Sequence, residues 1–129
     1  MEQVKGFKNS WILTEKGKVK TNLLIENGRI ARIGDFECDG LIELPEDQII
    51  IPGFIDQHIH GAAGSDAMDG TKEDLSKIAC ALAKEGTTAF LATTMTQSPA
   101  NIDKALNAVK EYIEEAPEDD GTLKKNIKT

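Results

Sequence analysis

The stretch "QIIIPGFIDQHI" at residues 48–59 is an almost continuous apolar run. Such a run is typical of a strand that is covered on both faces, as in a parallel sheet. We therefore expect one strand over residues 49–60. The Gly-rich segment "HGAAGSDAMDG" follows, and Thr71 then predicts the N-cap of a helix, with Asp74 in the capping-box position and Gly86 as its stop.

A second strand and helix follow the first pair. The β-branched stretch "TTAFLATTMT" at residues 87–96 predicts another buried strand, and Ser98 and Pro99 predict the start of a helix that ends at Pro117. The order strand, helix, strand, helix indicates parallel pairing of the two strands. The polar tail, residues 118–129, predicts no further element. The predicted apolar stripes are Leu75, Ile78, Ala79 and Leu82 in the first helix, and Ile102, Ala105, Leu106, Val109 and Ile113 in the second.

The first fifty residues have the character of short strands. Asn27-Gly28 lies between two apolar runs and predicts a two-residue hairpin turn, because both residues tolerate positive φ. Residues 7–14 and 41–44 are expected to be further strands. The predicted fold is thus α/β: a small N-terminal β-module, residues 1–51, followed by two βα units in residues 52–129.

The composition excludes several classes of partner. The formal net charge of -7 argues against nucleic acid or an anionic membrane, since both attract basic surfaces. The two cysteines, Cys38 and Cys80, have no metal-ligand spacing, which favours a reducing cytoplasm. No signal peptide or membrane-spanning stretch is expected.

The two histidines of the chain, His58 and His60, lie two positions apart at the end of the predicted first strand. Side chains on a strand alternate, so both imidazoles are expected on one face, with Cα atoms about 6.5–7 Å apart. Two imidazoles at that spacing can hold one divalent metal, and Asp56 on the same face could add a carboxylate. The alternative is a pair of structural or surface histidines.

Other polar residues near the strand ends are weaker candidates. Threonines near the C-terminal end of the second strand could line a pocket mouth, although β-formers in a sheet wall are the commoner role. Two loop aspartates could contact substrate, although aspartate in a Gly-rich loop usually stabilises a turn. These candidates are Thr93, Thr94 and Thr96 among the threonines, and Asp66 and Asp69 among the aspartates.

The segment "PGFIDQHIHG", with the earlier hairpin "LLIENGRIARIG", resembles the opening of the amidohydrolase superfamily. Its members are metal-dependent hydrolases with a (β/α)₈ barrel and a small β-sandwich. Within it, "HGAAGSDAMDGT" and "EGTTAFLATTMTQS" are most similar to the N-acetylglucosamine-6-phosphate deacetylase family. The resemblance covers residues 7–113. It implies that the two βα units are the first two of an incomplete barrel, and that His58 and His60 bind a divalent metal, zinc first, with iron or another transition metal as alternatives.

The resemblance also implies a reaction. The family hydrolyses the N-acetyl amide of an amino-sugar phosphate to glucosamine 6-phosphate and acetate, as a cytoplasmic enzyme for which we expect a homo-oligomer. The family's catalytic aspartate, its other metal ligands and its sugar-phosphate contacts have no counterpart here. We therefore assign no catalytic residue within this chain, leave the substrate-binding residues unassigned, and expect the isolated 129 residues to be inactive. The alternatives are an amidohydrolase that acts on a cyclic amide, and a non-catalytic fragment that self-associates through exposed strand edges.

Overall fold

The computed structural model describes residues 5–115 and 127–128, which form an α/β structure. The chain divides into two compact units, Met1–Pro52 and Gly53–Thr129. In the described residues, the first unit contains strands and no helix, and the second contains both α-helices. The predicted α/β class is therefore confirmed.

The N-terminal unit is a five-stranded sheet. Three strands form an antiparallel meander in the order β3-β2-β1, and two short strands pair in parallel with the free side of β1. The predicted hairpin turn is confirmed, since Asn27 and Gly28 have φ angles of 51° and 68°. The strands are β1 Gly6–Thr14, β2 Gly17–Glu26, β3 Arg29–Gly34, β4 Ile42–Glu43 and β5 Ile49–Ile50.

The C-terminal unit has a three-stranded sheet in the order β10-β9-β6, with both pairs of strands parallel. The strand order and the helix after each of β6 and β9 agree with the predicted βα pattern. A two-stranded hairpin and a short 3-10 helix, Ala67–Asp69, connect β6 to the first helix. The elements are β6 Phe54–Ile59, β7 Gly61–Ala62, β8 Ser65–Asp66, α1 Lys72–Lys84, β9 Thr87–Ala92, α2 Pro99–Glu114 and β10 Ile127–Lys128.

The core of this unit lies between β9 and the two helices. Phe90 of β9 is only 1% exposed, and the predicted stripe of α1 is buried in full. In α2 the prediction is wrong at Leu106, which is 39% exposed. The buried face of α2 follows Ala105, Val109 and Tyr112, and Leu106 lies one residue, or about 100°, around the helix from Ala105.

The predicted single strand over residues 49–60 is wrong, because it is divided at Pro52-Gly53. Ile49–Ile50 pairs with β1 in the first unit, whereas Phe54–Ile59 pairs with β9 in the second. Proline has no N–H to donate to a ladder. Gly53 also permits a close approach, since a Cβ there would lie 2.0 Å from Cγ2 of Thr88.

Three further predictions need correction. The strand β6 is not covered on both faces, since Phe54 is 58% and Ile55 is 66% exposed and neither belongs to the core between β9 and the helices. It also lies at the edge of its sheet. The second strand ends at Ala92 rather than at residue 96. The tail, predicted without an element, contributes β10, whose Ile127 pairs with Phe90 in parallel register. The main chain of almost any residue can extend an existing sheet edge, so the polar composition of the tail concealed this pairing.

The starts of both α-helices and the end of α1 follow the predicted caps. The Thr71 hydroxyl accepts a hydrogen bond from the Asp74 N–H, and the Ser98 hydroxyl accepts one from the Asn101 N–H. Gly86, with φ 83°, follows the C-cap of α1, whereas Pro117 lies outside the described residues. Neither α1 nor α2, the helices of the part that the structure describes, is long and apolar enough to span a bilayer.

Candidate functional site

The two histidine rings meet at the carboxyl end of β6. The Nε2 atoms of His58 and His60 are 3.3 Å apart, and the ring centroids are 5.1 Å apart with planes at 84°. His58 is exposed and His60 is half-buried. The rings therefore converge through the one nitrogen of each that points away from the backbone.

A bulge in β6 accompanies this convergence. Three residue steps from Asp56 to Ile59 face two steps of β9, from Phe90 to Ala92. A bulge adds a residue on one strand, bends that strand and re-aims its side chains. His58 lies within the bulge, and His60 directly follows β6.

The hydrogen bond on the other side of His60 sets which ring nitrogen carries hydrogen. Nδ1 of His60 lies 3.0 Å from the main-chain oxygen of Thr93. A carbonyl oxygen only accepts, so Nδ1 is the donor, and Nε2 of the neutral ring then has a free lone pair. A histidine whose second nitrogen donates to a carbonyl is the usual form of a metal ligand.

The separation of the two Nε2 atoms fits a single metal ion. Tetrahedral zinc with nitrogen ligands at 2.0–2.1 Å holds two of them about 3.3–3.4 Å apart. The observed separation of 3.3 Å agrees with that value. Within residues 5–115 and 127–128 no group of three or more His, Cys, Asp or Glu could hold a metal ion, and Cys38 and Cys80 are free and exposed. The chain thus brings two ligands together in its described part.

Asp56 does not join the pair. Its Oδ1 accepts a hydrogen bond of 3.0 Å from the main-chain N–H of His58, so the carboxylate is used by the backbone of the bulge. The predicted third ligand is therefore not formed. The bond instead stabilises the bulge from which His58 projects.

Of the candidate threonines, Thr93 is engaged at the site. It hydrogen-bonds the main chain of Ile59 and, through its own carbonyl, His60. Thr94 is half-buried and Thr96 is exposed. This role of Thr93 was missed from sequence because it depends on the main-chain and hydroxyl contacts of the residue, and both depend on the register of β6 against β9.

The loop aspartates stabilise turns. The Asp66 carboxylate accepts a hydrogen bond from the Met68 N–H at 2.8 Å, and the Asp69 carboxylate accepts one from the Asp66 N–H at 2.8 Å. The two aspartates form a capping box at the start of the 3-10 helix. The Asp69 main-chain oxygen also accepts a hydrogen bond from Lys104 of α2. Both aspartates therefore have the structural role expected of a Gly-rich loop.

Asp74, which the sequence marked only as a helix cap, connects that loop to α1. Its carboxylate accepts hydrogen bonds from the hydroxyl groups of Thr71 at 2.6 Å and Ser65 at 2.8 Å, and from the ammonium of Lys77 at 2.9 Å. The bonds from Thr71, then Lys77 and Ser65, lower the pKa of Asp74 to about 2. Ser65 lies in the hairpin that begins directly after His60, so this network fixes the loop beside the histidine pair.

Comparison with known proteins places these features in a family. The family model described as "Amidohydrolase family" matches residues 49–118, which include both histidines. The N-acetylglucosamine-6-phosphate deacetylase of Bacillus subtilis is 38% identical over 106 residues. An allantoinase of Enterococcus faecalis is 30% identical over 108 residues, and the alignment covers 80% of this chain and 23% of the allantoinase. A crystal structure of N-acetylglucosamine-6-phosphate deacetylase from Thermotoga maritima superposes on 85% of this chain with a TM-score of 0.71 and 32% identity.

This chain spans only about a quarter of the length of these relatives. The alignment with the Bacillus subtilis deacetylase includes 78% of this chain and 27% of that protein. The superposition with the Thermotoga maritima structure includes 28% of that chain. The matched region contains the histidine pair and leaves most of each relative without a counterpart here.

Proposed function

Because this chain belongs to the amidohydrolase family, we propose that it is the N-terminal part of a metal-dependent N-acetylglucosamine-6-phosphate deacetylase. The reaction would be hydrolysis of the N-acetyl amide, with glucosamine 6-phosphate and acetate as products. In this proposal residues 1–51 belong to a small β-sandwich, and residues 52–129 are the first two βα units of a (β/α)₈ barrel.

The observation that carries the metal assignment is the convergence of the two Nε2 atoms at 3.3 Å. The pair lies at the carboxyl end of a parallel strand, where α/β enzymes place their active sites. Imidazole suits zinc, iron and other transition metals, so the ring chemistry selects a divalent transition metal rather than calcium or magnesium.

The bound metal would supply Lewis acidity, which polarises an amide carbonyl and activates water. The residues of this chain would bind the metal and orient its ligands. His58 and His60 present the lone pairs, the Thr93 carbonyl fixes the tautomer of His60, and Asp56 holds the bulge. The general base, the remaining ligands and the phosphate contacts would come from residues outside this chain.

The proposal predicts that the isolated chain does not turn over N-acetylglucosamine 6-phosphate. Metal-assisted hydrolysis needs a closed ligand set and a proton-transfer group, and the described residues supply only two ligands. The measurement is acetate release by the purified chain with added zinc. Turnover above that of a His58→Ala/His60→Ala double variant would contradict the expectation.

The substrate class can be tested with chimeras. The matched segment of the Bacillus subtilis deacetylase is replaced by residues from this chain, and the matched segment of the Enterococcus faecalis allantoinase is replaced in the same way. We expect deacetylation of N-acetylglucosamine 6-phosphate by the first chimera and no allantoin hydrolysis by the second. Activity in the allantoinase chimera alone would favour a cyclic-amide hydrolase.

A second candidate, self-association without catalysis, is favoured by one observation. The edge strand β6 exposes Phe54 and Ile55, by 58% and 66%. Exposed apolar strand edges pair with other chains. Sedimentation velocity of the isolated chain would then show a dimer or larger species that Ile55→Lys dissociates. An unchanged monomer in both proteins would exclude this candidate.

A further inference from the structure

Thr93 makes an unusual set of contacts where β6 and β9 end. Its N–H donates to the Ile59 oxygen at 2.9 Å, and its hydroxyl accepts from the Ile59 N–H at 3.2 Å. The same hydroxyl donates to the Leu91 oxygen at 3.1 Å. In a parallel pair with Ile59 opposite Ala92, the ladder brings the N–H and oxygen of Ile59 beside the Leu91 oxygen and the Thr93 N–H. The Thr93 side chain therefore bridges the two strands at their last paired residues.

The carbonyl of the same residue meets the histidine pair. Thr93 is the first residue after β9, and its N–H bond to Ile59 is a main-chain contact with β6. The hydroxyl contacts with Ile59 and Leu91 are the side chain's addition to that contact. That backbone then presents its oxygen to Nδ1 of His60 at 3.0 Å. The bridge thus acts together with the main-chain bond to hold this acceptor in place.

The position of the acceptor matters because a neutral imidazole has one donor and one acceptor nitrogen. With hydrogen on Nδ1, the lone pair of His60 Nε2 points toward His58, 3.3 Å away. With hydrogen on Nε2, that nitrogen has no lone pair for a metal. In the metal-free chain, the His58 Nε2–H is then the donor of the contact between the rings.

We propose that Thr93 is a positioning residue, whose hydroxyl bridge holds its carbonyl against His60 and so keeps Nε2 of that ring free for a divalent metal. The metal part of this statement rests on the proposed function. The tautomer of the metal-free ring does not, so the two can be tested separately.

The test uses nitrogen NMR of the histidine rings in the metal-free chain at about pH 8, where imidazole side chains are generally neutral. In the unmodified protein we expect His60 with hydrogen on Nδ1 and His58 with hydrogen on Nε2. Thr93→Val removes the hydroxyl at nearly equal volume and should shift His60 toward a mixture of tautomers. Thr93→Ser keeps the hydroxyl and should restore the original spectrum.

The matched control is Thr94→Val, because the Thr94 side chain makes no hydrogen bond within the described part of the chain. It should leave both tautomers unchanged. A merely structural role for Thr93 would lower stability without altering the tautomer of the folded protein. An unaltered His60 spectrum in folded Thr93→Val would overturn the proposal.

Zinc calorimetry adds an independent readout. Loss of an outer partner of a metal-bound histidine typically weakens metal binding by about 10–100-fold, and we expect a loss of that size for Thr93→Val and none for Thr94→Val. If the unmodified chain binds no zinc but Thr93→Val still shifts the tautomer, the positioning role is supported and the metal assignment fails. If Thr93→Val does not fold, the His60 Nδ1–H resonance of the unmodified chain decides: protection from solvent exchange supports the contact with Thr93, and rapid exchange refutes it.

Discussion

Gly61→Ala should move the hairpin that follows the histidine pair. A Cβ at Gly61 would lie 2.1 Å from the main-chain oxygen of Ser65 and 2.8 Å from Cα of Asp66, and real Cβ contacts are essentially never shorter than 3.0 Å. The obstacle is backbone on the paired strand β8, which cannot rotate away as a side chain would. The two strands of the hairpin must therefore separate by at least the 0.9 Å between 2.1 and 3.0 Å.

The loss in the free energy of unfolding follows from the hydrogen bonds that depend on the position of the hairpin. Ser65 donates to Asp74, and the Ala67 N–H donates to the His60 oxygen at 2.7 Å. Overpacking a tight site typically costs about 1–3 kcal/mol, and each weakened hydrogen bond about 1 kcal/mol. We expect the free energy of unfolding to fall by about 2–3 kcal/mol. His60 is held by this hairpin, so zinc affinity should also fall by about tenfold or more.

Gly64→Ala, in the same hairpin, is the matched control. Nothing lies within 4 Å of a Cβ at Gly64, whose φ is 77°, so its cost is conformational alone, about 1–2 kcal/mol. Denaturant unfolding and zinc calorimetry of both variants measure the difference. The reasoning would be refuted if Gly61→Ala kept the stability and zinc affinity of the unmodified chain, or if Gly64→Ala lost as much zinc affinity.

Two further predictions concern stability. The lowered pKa of Asp74, about 2 against an ordinary 3.8, stabilises the fold above about pH 4, and this contribution is lost as pH falls through about 2. Asp74→Asn should therefore be less stable than the unmodified chain near neutral pH, and its free energy of unfolding should fall less between about pH 4 and 2. Urea unfolding across that range measures the difference. An equal fall in the free energy of unfolding of both proteins would contradict the expectation. In α2, Ala105→Leu should cost about 1–3 kcal/mol because Ala105 is 0% exposed, whereas Leu106→Gln should stay within about 0.5 kcal/mol. Equal losses in thermal unfolding would show that the burial of this helix is wrongly assigned.

Local signals in the sequence were sufficient for much of the fold. Asn27-Gly28, Thr71 and Ser98 act on residues within four positions, so the hairpin turn and both helix starts could be predicted. The parallel pairing of β6 and β9 followed from the order of elements, a topological rule that does not need contacts.

The errors arose where distant residues decide the outcome. Ile49 and Phe54 look like one apolar strand, but their partners lie in different sheets. Leu106 is apolar at a helical spacing, yet the core contacts the neighbouring face of α2. At the site, the spacing of the histidines predicted that the rings face the same way, whereas the contact between Thr93 and His60 required the register of β6 against β9.

Zinc titration of the metal-free chain by calorimetry tests the histidine pair most directly. Complete structural zinc sites contribute about 10–16 kcal/mol with four ligands, so two ligands should give about half, a dissociation constant of about 1–200 μM. We expect binding in that range. Each of His58→Ala and His60→Ala should abolish it, whereas Asp56→Asn should retain it, because the Asp56 side chain contacts the His58 backbone rather than the metal site. Nanomolar binding that survives His58→Ala would mean that the ligands lie elsewhere and that the two histidines do not form the metal site.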